Sequence, residues 1–171
     1  MPVSISKVNL ERIYNHARKT YPEECCGLLV GNLRDDKIVT TMVFEMRNSS
    51  LNKRITYKID PQNYLQVLKK INTKDKILGC YHSHPNLPPK PSFIDLSGAL
   101  PGFTYLIVSL DEKEITDTKC WTYIDADVEF VEKELLKNHK NPINHLGLSY
   151  SRRSPELSDF RDAKKTKPIL S

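Results

Sequence analysis

The chain has 171 residues, with 26 Lys+Arg against 21 Asp+Glu and a formal net charge of +5. That length suits one domain with an adequate core. No apolar stretch is long enough to span a bilayer, and Met1-Pro2-Val3-Ser4 does not open a charged segment followed by an apolar signal core, so neither a membrane protein nor a secreted one is expected.

Leu10, Ile13, Tyr14 and Ala17 recur at helical spacing and predict an amphipathic helix over 5–20. The run Pro22-Glu23-Glu24-Cys25-Cys26-Gly27-Leu28-Leu29-Val30-Gly31 then leads from the helix end into an apolar strand near 25–31. Strands follow at 37–46 and 54–59, with a polar turn over 48–53 between them. Asp60-Pro61 has the chemistry of an N-cap and a first helical residue. The helix it opens, 61–72, is predicted to bury Tyr64, Leu65, Leu68 and Ile71. A strand over 76–83, a short helix from 92 to about 100 and a strand over 103–110 come next. Asp111-Glu112-Lys113-Glu114 reads as a hairpin turn into a strand over 116–125, and a last strand lies near 128–132. This order of elements predicts the α/β class, with a curved, partly barrel-like mixed β-sheet flanked by helices.

The chemistry concentrates in Gly79-Cys80-Tyr81-His82-Ser83-His84-Pro85-Asn86-Leu87-Pro88-Pro89-Lys90-Pro91-Ser92-Phe93-Ile94-Asp95. On a strand, residues i and i+2 point to the same face, so His82 and His84 project together and can hold one metal, while Ser83 points away. Pro85 ends the strand by removing a backbone donor. Pro88-Pro89-Lys90-Pro91 is extended and stiff, able to return Asp95 to the metal at little ordering cost. Ser92, three residues before Asp95, fits a helix N-cap. Two imidazoles and a carboxylate are the ligand types of a catalytic zinc site that keeps a fourth position for water. Such a site also needs a group that activates its bound water, and a free carboxylate nearby could serve as general base. Of the adjacent glutamates, Glu23 reads as part of a solvated connection; the residues alone leave the role of Glu24 open.

The four cysteines, Cys25, Cys26, Cys80 and Cys120, form no Cys-x-x-Cys pair, and Cys25-Cys26 is a poor disulfide framework. Reduced, buried thiols in a cytoplasmic protein are expected. Cys80 shares a strand face with His82 and His84; core packing is expected of it rather than ligation.

At these residues the chain resembles the JAMM (MPN+) zinc metalloproteases. Their pattern is a glutamate before the first strand, then His-x-His-Pro, six residues and Ser-x-x-Asp. His82-Ser83-His84-Pro85, the six residues from Asn86 to Pro91, and Ser92-Phe93-Ile94-Asp95 match it without a gap, and Glu24 opening Cys25-Cys26-Gly27-Leu28-Leu29 matches the glutamate. The resemblance continues through Phe103-Thr104-Tyr105-Leu106-Ile107-Val108-Ser109-Leu110, Cys120-Trp121-Thr122-Tyr123 and the strand near Glu129-Phe130-Val131. It covers roughly residues 1–136 and is closest in kind to compact prokaryotic members.

The resemblance implies an MPN/cytidine-deaminase-like architecture. It implies one catalytic Zn2+ with a bound water, held by His82, His84 and Asp95. Glu24 would be the base that takes the water's proton and passes it to the leaving amine, and Ser92 would help stabilise the oxyanion. The implied substrate is an amide or isopeptide bond at the C-terminal tail of a ubiquitin-like β-grasp protein. Asp95 is followed too closely by the strand at Phe103 to leave room for the insertions of specialised deubiquitinases. That spacing suggests a compact enzyme with a short groove, and the resemblance to prokaryotic members implies a sulfur-carrier protein, trimmed or relieved of a terminal amino acid, as the partner. Two other readings remain: a phage-tail or cell-wall-associated peptidase of the same family, and a non-catalytic binding module that keeps zinc for structure.

The charge divides the chain. Residues 1–136 carry 18 Lys+Arg and 18 Asp+Glu, and residues 137–171 carry 8 and 3. The expected organisation is a metalloprotease domain over 1–136 and a basic, flexible C-terminal extension over 137–171. Its aromatics are too sparse to suggest base stacking, so nucleic acid is not an expected partner.

Overall fold

The computed structural model describes residues 1–138. A short strand, β1 (Val3–Ser6), leads into helix α1 (Lys7–Thr20), then strands β2 (Cys26–Arg34) and β3 (Lys37–Met46). Helix α2 (Pro61–Lys70) precedes strand β4 (Lys76–Pro85), helix α3 (Phe93–Ser97) and strands β5 (Thr104–Asp111), β6 (Glu114–Ile124), β7 (Glu129–Lys133) and β8 (Leu135–Asn138).

The eight strands form one mixed sheet in the order β7-β6-β5-β4-β2-β3-β1-β8. β7 and β8 sit at opposite edges of that order, yet only Glu134 separates them in the chain. The sheet must therefore curl until its edges approach, which is the half-barrel expected from sequence. α1 packs inside one face with Leu10, Ile13 and Ala17 against Val3, Ile5, Leu29, Tyr81 and Leu106. The other face carries Cys26, Leu28, Val30, Phe44, Val67, Cys80 and Tyr105. β4 and β5 are buried on both faces, as parallel neighbours at the centre of a sheet are. They approach so closely that a Cβ on Gly79 would lie 1.8 Å from the Thr104 carbonyl oxygen.

Several expectations are corrected. The start of the predicted 5–20 helix is a strand; Ser6 caps α1 by accepting from the Asn9 N–H at 3.2 Å. Residues 54–59 form no strand. Their segment is held by an isolated Asn48–Ile59 bridge and by the Asn48 side chain. α2 does begin with Asp60 as N-cap and Pro61 in its first turn, but it ends at Lys70. It turns Tyr64, Val67 and Ile71 to the sheet and leaves Leu65 and Leu68 exposed. Two apolar stripes at helical spacing were available, and only the packing partner chose between them. β8 was not foreseen; it pairs in parallel with β1 and carries the sheet to Asn138, two residues past the predicted boundary at 136. The remainder of the predicted basic extension lies outside the described residues. Among the described residues no helix is long and apolar enough to cross a membrane.

Candidate metal centre

His82 and His84 stand at the C-terminal end of β4, which is flanked by β2 and β5. Tyr81, between Cys80 and His82, points to the opposite face and meets His16 of α1, with its hydroxyl 2.9 Å from His16 Nδ1. The loop that follows is pinned through consecutive carbonyls. Leu87 O accepts from the Ser109 hydroxyl, Pro88 O from His84 Nδ1 at 2.9 Å, and Pro89 O from Trp121 Nε1 at 2.9 Å. The stiffness that the prolines predict is thus enforced by tertiary hydrogen bonds. At the loop's end Ser92 and Asp95 form a capping box. The Asp95 N–H donates to Ser92 Oγ at 3.2 Å, and the Ser92 N–H and hydroxyl both donate to Asp95 Oδ2 at 2.6 Å.

The three predicted ligands converge. Among the described residues, His82, His84 and Asp95 group ligand atoms within 4.8 Å of one another. His82 Nε2 and His84 Nε2 are 3.0 Å apart, His82 Nε2 to Asp95 Oδ1 is 3.3 Å, and His84 Nε2 to Asp95 Oδ2 is 3.6 Å. A tetrahedral ion with bonds near 2.0–2.1 Å separates its ligand atoms by about 3.3 Å. The two imidazole nitrogens and the Asp95 carboxylate are therefore close to the spacing such an ion requires, with one or the other carboxylate oxygen nearest each histidine.

The protonation states suit the same use. Burial holds the His82 imidazole down at about 4, against a smaller opposing effect of Asp95, so it is neutral at pH 7 with a lone pair to give. The Pro88 carbonyl can only accept, so His84 carries a proton on Nδ1, which leaves Nε2 as the atom that would ligate an ion. Burial lowers the His84 pKa, but hydrogen bonds to Asp95 and Pro88 and the charges of Asp95 and Glu24 outweigh it and raise the net value. That reports a potential favouring positive charge at this point. Burial pushes the Asp95 carboxyl up. The hydrogen bond from His84, the charge of His82 and the two bonds from Ser92 more than offset it and hold Asp95 below the usual carboxylate range.

Glu24 joins the group from the segment just before β2. The ladder ends where Cys26 pairs with His82, and Cys25 extends the contact to Ser83, which brings Glu24 toward His84. Two contacts hold that extension: the Cys25 N–H donates to Ser83 Oγ at 2.8 Å, and the Ser83 N–H donates to Cys25 O at 3.1 Å. Glu24 is buried, and burial raises its carboxyl to about 7; His84 opposes and Asp95 reinforces the effect. A carboxylate poised there can take and return a proton near neutrality. Glu23, by contrast, is an exposed partner of Lys53 at 3.8 Å, as the solvated reading expects.

Cys80 is not part of the ligand group. Its thiol meets the Tyr57 hydroxyl at 3.3 Å and is pushed up to about 12 by burial, so it stays protonated. A cavity of about 290 Å3 opens beside the ligands, with Leu28, Tyr57, Tyr64, Ile94, Asp95 and Tyr105 in its wall. Sequence reasoning missed Ser83, Asn48 and Tyr57. Only Asn48 left a signal, as a polar residue ending an apolar strand.

The fold and the site define a metal-dependent hydrolase domain. Prokaryotic homologs of the JAB domain (Prok-JAB) match residues 6–123. The desampylase of Haloferax volcanii is 36% identical over 107 residues, which are 59% of this chain and 76% of that protein. The 26S proteasome regulatory subunit RPN11 of Encephalitozoon cuniculi is 31% identical over 99 residues, 56% of this chain but only 33% of that subunit. A solution structure of a Desulfitobacterium hafniense protein superposes with a TM-score of 0.71 at 27% identity, covering 81% of this chain and 94% of that one. The chain belongs to the Prok-JAB family, the prokaryotic branch of the JAMM metallo-hydrolases.

Proposed function

We propose that this chain is a zinc-dependent peptidase that hydrolyses an amide or isopeptide bond at the C-terminal tail of a ubiquitin-like β-grasp protein, with a sulfur-carrier protein as the substrate. His82, His84 and Asp95 would hold the ion. The observation that carries the reading is Glu24. A buried carboxyl raised to about 7 beside three convergent ligands suits an open, hydrolytic site, not a closed structural one.

When bound, zinc supplies Lewis acidity at the scissile carbonyl and at the attacking water. Glu24 takes the water's proton and delivers it to the departing amine. The Ser92 hydroxyl has one proton to donate, now given to Asp95 Oδ2, and stabilising the oxyanion requires it to turn toward the substrate. Asp95 keeps the Ser92 N–H when that happens, so its orientation survives. The cavity of about 290 Å3 beside Asp95 is lined largely by apolar and aromatic side chains and is of a size for a few residues of a flexible tail.

The names of the relatives, a desampylase and a proteasome regulatory subunit, support a ubiquitin-like substrate. Four free, buried cysteines suit a reducing, cytoplasmic setting. The catalytic unit in this reading is the metalloprotease domain over 1–136, with the basic segment over 137–171 as an extension; the pairing of β8 with β1 supports counting the residues up to Asn138 with the sheet. The test is incubation of zinc-loaded protein with carrier conjugates, read by intact mass. Loss of the C-terminal adduct at a glycine terminus is expected; conjugates left whole under conditions where zinc is bound overturn the substrate assignment.

A further inference from the structure

The two imidazole ligands are oriented by different means. His84 is fixed through its Nδ1 bond to the Pro88 carbonyl. His82 Nδ1 has no hydrogen-bond partner among the described residues, although the side chain is wholly buried. What lies against His82 is the ring of Tyr57, stacked at a centroid distance of 4.5 Å and an interplanar angle of 25°. The Tyr57 hydroxyl is tethered in turn to the Cys80 thiol, one alternation back along β4.

Tyr57 belongs to the segment that forms no strand, and Asn48 holds that segment. The Asn48 amide donates to Thr56 O at 3.0 Å and to Glu24 O at 3.0 Å. Its Oδ1 accepts from Lys58 N at 3.2 Å and Ser50 N at 2.9 Å. Both donors and both acceptor lone pairs of a buried amide are therefore used. The same side chain grips the backbone of Glu24 and the backbone on either side of Tyr57. Glu24 N–H also donates to Lys53 O at 2.6 Å, within the same strap.

We infer that Asn48 and Tyr57 are positioning residues that act as one unit, a strap over residues 48–59 that orients His82 through the tyrosine stack and ties it to Glu24. The inference rests on the proposed metal site. Tyr57 packs on the His82 ring without bonding its Nδ1 and also forms part of the cavity wall beside Asp95, so zinc affinity rather than turnover is the readout that isolates its effect on His82. Hydrogen-bonded outer partners of a ligand change metal affinity by about 10–100-fold, and a stack that fixes only the ring's orientation is expected at the lower end of that range. Asn48→Asp keeps shape and acceptors but sets an oxygen against the carbonyls of Glu24 and Thr56, which frees the strap.

The experiment is a double-mutant cycle read by zinc affinity, measured by competition with a chromophoric chelator, on full-length wild type, Tyr57→Phe, Tyr57→Leu, Asn48→Asp and the Tyr57→Leu/Asn48→Asp pair. Thermal melts of the metal-free proteins establish folding, and Asn48→Ser takes the place of Asn48→Asp if the latter does not fold. Tyr57→Phe, which keeps the ring, is expected within about threefold of wild type. Tyr57→Leu and Asn48→Asp are each expected to weaken zinc binding by about tenfold, and the pair by about tenfold also, because one unit is lost only once. The cobalt-substituted Tyr57→Leu protein should show a shifted visible absorption band, since His82 is free to rotate. A folded Tyr57→Leu that binds zinc as wild type does, or a pair weakened by the product of the singles, overturns the inference. If wild type binds zinc but cleaves no carrier, the substrate assignment fails and the cycle still decides the strap.

Discussion

The contact between His16 and Tyr81 behind the metal strand makes a quantitative prediction about acid. Burial, with a smaller contribution from the charge of Lys19, lowers His16 from 6.5 to about 4. In the folded protein the ring is therefore neutral between those values, whereas in the unfolded chain it takes a proton as the pH falls below 6.5. The unfolded state binds more protons throughout that window, so stability rises with pH across it. The contribution is fully present above pH 6.5 and is lost as the pH falls toward 4. Each pH unit of the gap is worth about 1.4 kcal/mol, which gives about 3 kcal/mol in all and about 2 kcal/mol between pH 7 and pH 5. His16→Gln keeps a side chain that can bond to the Tyr81 hydroxyl but removes the titration. The assay is urea unfolding of wild type and variant at pH 7 and pH 5. Wild type should lose about 2 kcal/mol more than the variant over that interval. Parallel losses would refute the reasoning, since some other group would then account for the acid sensitivity.

Replacing Glu24 with Gln should leave zinc content unchanged and lower the cleavage rate by about 10²–10⁴-fold; equal rates would remove Glu24 from the mechanism. Burial raises Glu24 to about 7 in the metal-free site, and a bound cation beside it draws the carboxyl back down. The base acts only when ionised, so the wild-type rate should climb with pH over an acidic limb lying below about 7. A rate that does not fall anywhere as the pH is lowered from about 7, while zinc stays bound, would contradict this assignment. Dialysis against a zinc chelator should abolish cleavage, and added zinc but not calcium should restore it, as two imidazoles and one carboxylate disfavour a hard oxygen-seeking ion. Gly79→Ala would drive a Cβ to within 1.8 Å of the Thr104 carbonyl and force β4 from β5. A loss of about 3 kcal/mol or failure to fold is expected, and a near-native melting temperature would mean that the sheet yields there easily.

The chemistry of this protein was legible in sequence because it is local. His82 and His84 share a face through the two-residue period of a strand, and Asp95 follows a loop that proline makes extended; the structure closes these three into one triangle. Burial of the β4 strand was readable from its apolar run, as was the Asp60-Pro61 helix start. The elements that failed were those whose state depends on a distant partner. Residues 54–59 have strand composition, but no neighbouring edge is offered to them, and one asparagine side chain takes the ladder's place. Val3–Ser6 and Leu135–Asn138 are too short to show a period, and each is a strand because β1 lies between β3 and β8.

What the sequence determined by itself was the donor set: two imidazoles, a carboxylate and a loop of fixed reach, together with the resemblance that made Glu24 a candidate base. What only the tertiary structure decided was how those groups are held and tuned. The pairing of β2 with β4 and the Cys25–Ser83 contacts beyond it bring Glu24 toward the histidines, burial raises its carboxyl, and the stack of Tyr57 lies against an imidazole with no bond at Nδ1. These depend on pairings between residues far apart in the chain, and a local pattern carries no record of which distant surface will cover it.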